Sequence, residues 1–175
     1  MSFIMSLLFM PVVLLLAACS SPLPIRIATA VDLERFMGDW YVIANIPTFI
    51  ETDAYNAVET YRLAQDGSVA TTFSFREGGF DGEHKTYHPT GYVIDKQSNA
   101  VWEMQFIWPI MSDYRIVYVD EAYQQTIIGR IRRDYVWLMA RTPQISDDDY
   151  QRFLKLIADE GYDVSKVRKV PQRWN

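Results

Sequence analysis

A series of short apolar segments separated by turn-forming residues is the feature that most constrains the fold of this chain. The clearest segment runs from Ala100 to Trp108, where large and polar side chains alternate and Pro109 ends the run. A period of two places alternate residues on one face of a β-strand. One face of this predicted strand carries Trp102, Met104, Phe106 and Trp108.

Seven further segments have the same character, and turn signals separate them. Asp66-Gly67 predicts a tight hairpin, because Asp-Gly supplies the positive φ values that such a turn needs. Pro89 interrupts the fourth segment, which we therefore expect to be an edge or bulged strand. Eight strands at nearly regular spacing predict an up-and-down barrel or a sandwich. The seven further segments are 40–46, 55–63, 69–76, 87–94, 114–119, 124–131 and 135–141.

One helix is predicted near the carboxyl end. Ser146 and Asp149 have the spacing of a capping box, and the acidic first turn suits the positive end of the helix dipole. Gly161 is a natural helix stop, and Val164 to Val170 is a candidate last strand. We expect the helix to pack one face on the outside of the sheet. Its apolar stripe consists of Tyr150, Phe153, Leu154 and Ile157.

Charge and cysteine content exclude several classes of protein. The net charge is −5 and no long basic run is present, so we expect no nucleic-acid partner. One cysteine in 175 residues excludes a disulfide framework and a cysteine-rich metal site. Aromatic residues make up 14% of the chain, enough to build a large core or to line an apolar cavity.

The amino-terminal segment has the character of a cleaved leader. Residues 3–18 carry no charge and are fewer than the ~20 apolar residues of a spanning helix. Leu16-Ala17-Ala18-Cys19 resembles the bacterial lipobox, which implies cleavage before Cys19 and a lipid on its sulfur; an ordinary signal peptide with a chance cysteine is the alternative. We therefore predict a signal peptide at 1–18, a lipidated tether at 19–30 and one domain at 31–175. By the rule of that family, Ser20 rather than Asp after the cysteine implies the outer membrane.

Three motifs carry a resemblance to a known family. Gly38-Asp39-Trp40-Tyr41 resembles the lipocalin motif Gly-x-Trp-Tyr, Asp120–Tyr123 lies where the second lipocalin motif falls, and Asp134–Pro143 fits the third. With the helix and the lipobox, the chain is similar to the bacterial outer-membrane, apolipoprotein D-like branch. This resemblance implies an all-β fold, an eight-stranded antiparallel up-and-down β-barrel with a C-terminal α-helix outside. It also implies that Arg141 packs across the Trp40 ring at a closed end, as a structural pair.

In such a barrel the large alternating side chains line a ligand cavity instead of filling a core. The resemblance implies a hydrophobic ligand such as a fatty acid or lysophospholipid, stored or transported on the periplasmic face of the outer membrane, by a monomer or homodimer. A barrel filled by its own side chains, in a structural envelope lipoprotein, is one alternative. The residues expected to line the cavity are Phe73, Phe75, Trp102, Met104, Phe106, Trp108, Tyr114, Ile116 and Tyr118.

Catalytic and metal-binding patterns are poor, so no enzyme activity, cofactor or metal is expected. His84 and His88 are four apart, but they lie in a loop-to-strand segment, and two exposed loop histidines are the favoured interpretation. Glu59 is the one carboxylate inside an apolar strand segment, and it either points outward or lies inside, paired or protonated. A lipocalin-fold enzyme that acts on a bound lipid or isoprenoid is the other alternative; Glu59 and the tyrosines would be its candidate acids and bases.

Overall fold

A computed structural model describes residues 24–174. The predicted signal peptide, Cys19 and the first part of the tether lie outside the described residues. The strands are β1 (Gly38–Ile46), β2 (Ala54–Leu63), β3 (Val69–Glu77), β4 (His84–Tyr87), β5 (Thr90–Val93), β6 (Val101–Ile107), β7 (Ile110–Val119), β8 (Gln125–Gly129), β9 (Val136–Ala140) and β10 (Arg168–Lys169). The α-helices are α1 (Leu33–Phe36) and α2 (Asp147–Asp159), and a short 3-10 helix spans Val164–Lys166.

The strands form one antiparallel sheet that closes on itself, because β1 pairs with both β2 and β9. Strands β4 and β5 both pair with β3 and together form the fourth strand of an eight-stranded barrel, interrupted at His88 and Pro89. The predicted barrel with a C-terminal helix is therefore confirmed, and the sandwich is excluded. Helix α1 was not predicted, and the expected last strand is a 3-10 turn followed by the two-residue strand β10.

Two apolar layers hold the fold together. The inner layer fills one end of the barrel with large rings, including Phe36, Trp40 and Trp102, all buried. The outer layer lies between the barrel wall and α2, where Phe153 and Ile157 are buried. The Ser146 hydroxyl accepts a hydrogen bond from Asp149 N–H at 3.1 Å, which caps α2 as its sequence predicts.

The hydrogen-bonded pairing between neighbouring strands is interrupted at two places in the half of the barrel away from α1. Strands β1 and β2 pair only from Gly38 to Tyr41, and β10 with the following residues fills the space between them. The residues after β10 also bond to β2 in this space, where Asn56 N–H donates to Pro171 O at 2.9 Å. Strand β6 pairs with β5 but not with β4, and no other segment of residues 24–174 pairs with β4 on that side. None of the described helices is long and apolar enough to cross a membrane.

Candidate functional site

The two ends of the barrel differ. Loops 47–53, 78–83, 108–109 and 130–135 meet at one end, which we call the mouth. The other end is closed by α1 and by the turns that follow β2, β5 and β7. A cavity inside the barrel is therefore closed at the α1 end and open to solvent at the mouth.

Trp40 and Arg141 lie together at the closed end. The Arg141 guanidinium carbon is 3.8 Å from the centroid of the fully buried Trp40 ring. Arg141 also donates to the carbonyl oxygens of Arg35 and Met37, each at 2.8 Å, at the end of α1. A guanidinium satisfies the otherwise unpaired carbonyls at a helix C-terminus. The pair implied by the family resemblance is thus in contact, and it fastens α1 across the barrel.

A cavity of about 340 Å³ extends from the mouth into the barrel. This volume falls in the range of roughly 300–1,000 Å³ that small-molecule sites occupy. The barrel is therefore not filled by its own side chains. Of the residues predicted to line the cavity, the structure brings four to its wall: Phe73, Met104, Phe106 and Tyr114.

The other five predicted lining residues lie elsewhere. Phe75, Trp102 and Ile116 belong to the buried inner layer but do not border the cavity. Trp108 is a correction, since it lies in the turn at the mouth with 80% of its side chain exposed. Tyr118 is a second correction: its ring centroid is 5.6 Å from that of Phe153, so it packs outside the barrel against α2.

Glu59 lies inside the barrel and borders the cavity. Burial raises its pKa to about 8, and the charge of Glu51 adds to this effect. The Tyr61 hydroxyl donates to Glu59 Oε2, and its oxygen lies 2.6 Å from the Tyr114 hydroxyl. Burial, followed by the charge of Glu59, also raises the pKa of Tyr114. At neutral pH this polar floor is therefore mostly uncharged, with a carboxyl group able to donate a hydrogen bond.

Glu51 is a second buried carboxylate at the cavity wall, on the loop between β1 and β2. It accepts hydrogen bonds from Thr48 N–H at 3.0 Å, Asn45 Nδ2 at 3.1 Å and Trp137 Nε1 at 3.1 Å. Burial raises its pKa, and these hydrogen bonds act in the opposite direction. Glu51 thus ties the mouth loop to β1 and β9.

Arg130 provides a cation at the mouth side of the cavity. Its guanidinium carbon is 5.1 Å from the centroid of the Tyr135 ring, and its Nε lies 3.5 Å from Asp134 Oδ1 without a hydrogen bond. The buried Nε therefore has donor capacity that the described protein groups do not use. An anionic group at the mouth would meet the positive charge of Arg130, which lines the cavity there.

Sequence reasoning missed several lining residues. Glu51 belongs to a Thr-x-x-Glu spacing with Thr48, which is a local cap-like signal, but its other partners are distant in sequence. His88 borders the cavity at the break between β4 and β5, while His84 is exposed on β4. No group of three or more metal-ligating side chains occurs within residues 24–174. The lining residues that were not predicted also include Tyr87, Tyr135 and Trp137.

Known relatives resemble this chain over nearly its whole length. It is 31% identical to the outer membrane lipoprotein Blc of Escherichia coli over 164 residues, which cover 90% of each chain. It is 31% identical to temperature-induced lipocalin-1 of Arabidopsis thaliana over 84% of this chain and 82% of the relative. Apolipoprotein D of Mus musculus is 26% identical over 90% of this chain and 84% of the relative.

Solved structures share the same fold. Insecticyanin from the tobacco hornworm Manduca sexta superposes with a TM-score of 0.67 over 86% of this chain and 85% of its own, at 13% identity. The family model for the lipocalin-like domain matches residues 31–172, which include the whole barrel and α2. The chain therefore belongs to the lipocalin-like family.

Proposed function

We propose that this protein binds a hydrophobic lipid, such as a fatty acid or a lysophospholipid, and stores or transports it in the cell envelope. The observation that carries the proposal is the cavity of about 340 Å³ open at the mouth. Its wall is dominated by apolar and aromatic side chains such as Phe73, Met104 and Trp137. Burial of an acyl chain there contributes about 0.8 kcal/mol for each CH₂ removed from water.

The polar groups favour one orientation of an anionic lipid. A carboxylate or phosphate at the floor would lie beside the Glu59 carboxyl and the Tyr114 hydroxyl, and neither of these groups supplies a positive charge. At the mouth the same group would lie beside Arg130, the one arginine or lysine among the described residues that line the cavity. We therefore place the headgroup at the mouth and the acyl chain in the cavity.

The cellular location is part of the same proposal. Cys19 carries the lipid anchor, and the mature protein is held at the periplasmic face of the outer membrane. The lipobox resemblance supports the anchor, and the similarity to outer membrane lipoproteins Blc supports the location. Two or more acyl chains on one residue give stable attachment, whereas a single chain binds only marginally.

Glu59 also gives specific support to a second candidate, an enzyme that acts on its bound lipid. A buried carboxyl with a pKa of about 8 beside the Tyr61 hydroxyl has the protonation range of a general acid or base. The carrier predicts that the lipid recovered from the protein is chemically identical to the lipid supplied. A time-dependent product, lost in Glu59→Gln, would instead support the enzyme.

Native mass spectrometry of the chain from Ser20 onward, with extraction of what it carries, tests ligand binding. We expect a stoichiometric fatty acid or lysophospholipid, or uptake of added oleate or lysolipid. Ser112→Trp places a ring in the cavity wall and should lower uptake at least tenfold. Glu103→Trp, on the exposed face of β6, is the matched control and should bind like the wild type. An empty wild-type protein that also takes up no added lipid would refute the proposal.

A further inference from the structure

The mouth of the barrel carries an unusual amount of exposed apolar surface. Within residues 24–174, the four most exposed large apolar side chains are Phe49, Trp108, Ile107 and Ile110, and all four lie at the mouth. Their exposed fractions are 86%, 80%, 70% and 64%. Ile131, 53% exposed, adds to them from loop 130–135. Several large apolar side chains exposed at one end of a domain are typical of an interaction site.

We propose that these mouth residues form a membrane-docking surface that inserts into the nearer leaflet of a phospholipid bilayer and presents the open cavity to it. Trp side chains prefer the interface between water and acyl chains, and Ile and Phe side chains favour the layer below it. Phe49 lies in loop 47–53, and the other three residues lie in or directly beside the turn between β6 and β7, so all four are at one end of the barrel and do not form a stripe along its wall. A bilayer is the partner whose chemistry matches such a patch beside a lipid cavity.

The path of the first described residues supports this orientation. Ala28 N–H donates to Ile116 O at 2.9 Å, and Val31 N–H donates to Ser98 O at 2.7 Å in the turn at the closed end. Going backwards along the chain, Ile25 lies at the level of Gly129, where a Cβ on that glycine would be 3.1 Å from Ile25 Cδ1. Gly129 is the last residue of β8 and is followed directly by mouth loop 130–135. The described chain therefore begins on the mouth side of the barrel.

The distance to the anchor is limited by the number of residues between. Cys19 precedes Pro24 by five residues, so a fully extended chain separates them by at most about 18 Å. An anchor at Cys19 thus keeps Pro24 within about 18 Å of its lipid, which allows the mouth end to face the bilayer. This step rests on the lipidation of Cys19 that we propose above, whereas the exposed patch does not depend on it.

Charges at the mouth permit the approach to a bilayer with anionic lipid. The side chain of Arg132 is 80% exposed, and its Nε lies 3.8 Å from Asp134 Oδ2. Arg130 of the same loop lies at the cavity wall. Juxtamembrane arginines favour anionic headgroups, which offsets part of the repulsion expected from a net charge of −5. The apolar side chains supply the larger contribution, since Asp134 and Asp113 contact the same loop.

Vesicle flotation of the chain from Ser20 to Asn175, which lacks any anchor, tests the proposal. This chain contains every strand and helix described and the whole of the closed barrel. The vesicles contain phosphatidylethanolamine and phosphatidylglycerol. We expect the wild type to float with them, and Trp108→Ser combined with Ile131→Ser to lower the partition coefficient at least tenfold. Neither side chain borders the cavity, so uptake of oleate from vesicle-free solution should stay within twofold of wild type.

Ile94→Ser combined with Trp174→Ser is the matched control, because it removes one Ile and one Trp of 54% and 48% exposure away from the mouth. We expect it to float like the wild type. Bromine-labelled phospholipids give a second measurement: they should quench wild-type tryptophan fluorescence, and Trp108→Phe should remove most of that quenching.

Three results would overturn the docking surface: a wild-type chain that does not float, a mouth variant that floats normally, or a control that loses as much binding. Concentration-dependent self-association that the mouth variant abolishes, without vesicle binding, would assign the patch to a second copy of the chain. Oleate uptake without flotation would refute the docking surface but not the proposed lipid carrier. Flotation without uptake supports docking and refutes the proposed lipid carrier.

Discussion

Replacement of Glu59 by Gln should make the stability of the protein less dependent on pH. The Glu59 carboxyl is buried, and its pKa in the folded protein is about 8, against 4.5 for an ordinary glutamate. It therefore stays protonated in the folded state over a pH range in which the unfolded chain ionises. Because the unfolded state then binds fewer protons, the contribution of Glu59 to stability is greatest below about pH 4.5 and is lost as the pH rises to about 8.

The magnitude follows from the size of the shift. Each pKa unit corresponds to 1.36 kcal/mol, so the full difference is about 5 kcal/mol and about 3 kcal/mol is reached at pH 7. Gln is neutral in both states and keeps an oxygen that can accept from the Tyr61 hydroxyl. The free energy of unfolding of Glu59→Gln, minus that of the wild type, should therefore rise by about 3 kcal/mol between pH 4 and pH 7.

Urea unfolding of the two proteins between pH 4 and pH 8.5 measures this gain. The other carboxyl groups cancel in the difference except where they couple to Glu59, as Glu51 does. Glu103→Gln removes an exposed carboxyl from β6 and is the control, with a difference from wild type that should stay constant. A Glu59→Gln difference that is equally constant would refute the argument that burial keeps this carboxyl protonated.

Three further substitutions test the packing of the fold. Trp40→Ala removes a fully buried ring at the closed end and should cost about 3–5 kcal/mol, lowering the melting temperature by about 10 °C; unchanged melting would contradict the structural role of Trp40 with Arg141. Ser146→Ala removes the α2 cap and should cost about 1 kcal/mol in urea unfolding, and no loss would show that the cap is dispensable. Tyr118→Ala should lower stability by about 1–3 kcal/mol through its contact with α2, yet leave oleate uptake unchanged. A loss of oleate uptake without a loss of stability would show that Tyr118 lines the cavity instead of packing against α2.

The sequence predicted the barrel well because alternation is a local signal. On β3 and β6, the period of two puts Phe73 and Met104 on the strand face that borders the cavity in the structure. It failed for Tyr118 because β7 has a register shift between Ile116 and Tyr118 in its pairing with β8. An extra residue in a strand reverses the faces that follow, so Tyr118 points outward although Tyr114 and Ile116 point inward. Alternation alone does not reveal such a bulge when both faces of a strand are apolar.

The polar part of the site was less predictable for a different reason. Glu59 lies in a regular strand, and its two possible faces could be stated from the sequence. Glu51 lies in an irregular loop, and its burial depends on Asn45 and on Trp137, which is 86 residues away. Donors brought together by barrel closure leave no short-range pattern. Arg130 gave the same difficulty, because only the folded loop shows that its Nε lacks a hydrogen-bond partner.

The missing ladder between β4 and β6 gives the mouth a mechanical property that the closed end lacks. At the closed end, hydrogen bonds join neighbouring strands and the girth of the barrel is fixed by their number. At the mouth, β10 and its following residues bridge one parting of the wall, while β4 and β6 remain unjoined within residues 24–174. Strands β4 and β6 could therefore move apart without the loss of a backbone hydrogen bond. We expect this freedom to let the mouth admit ligands of different width while the pairing at the closed end stays unchanged.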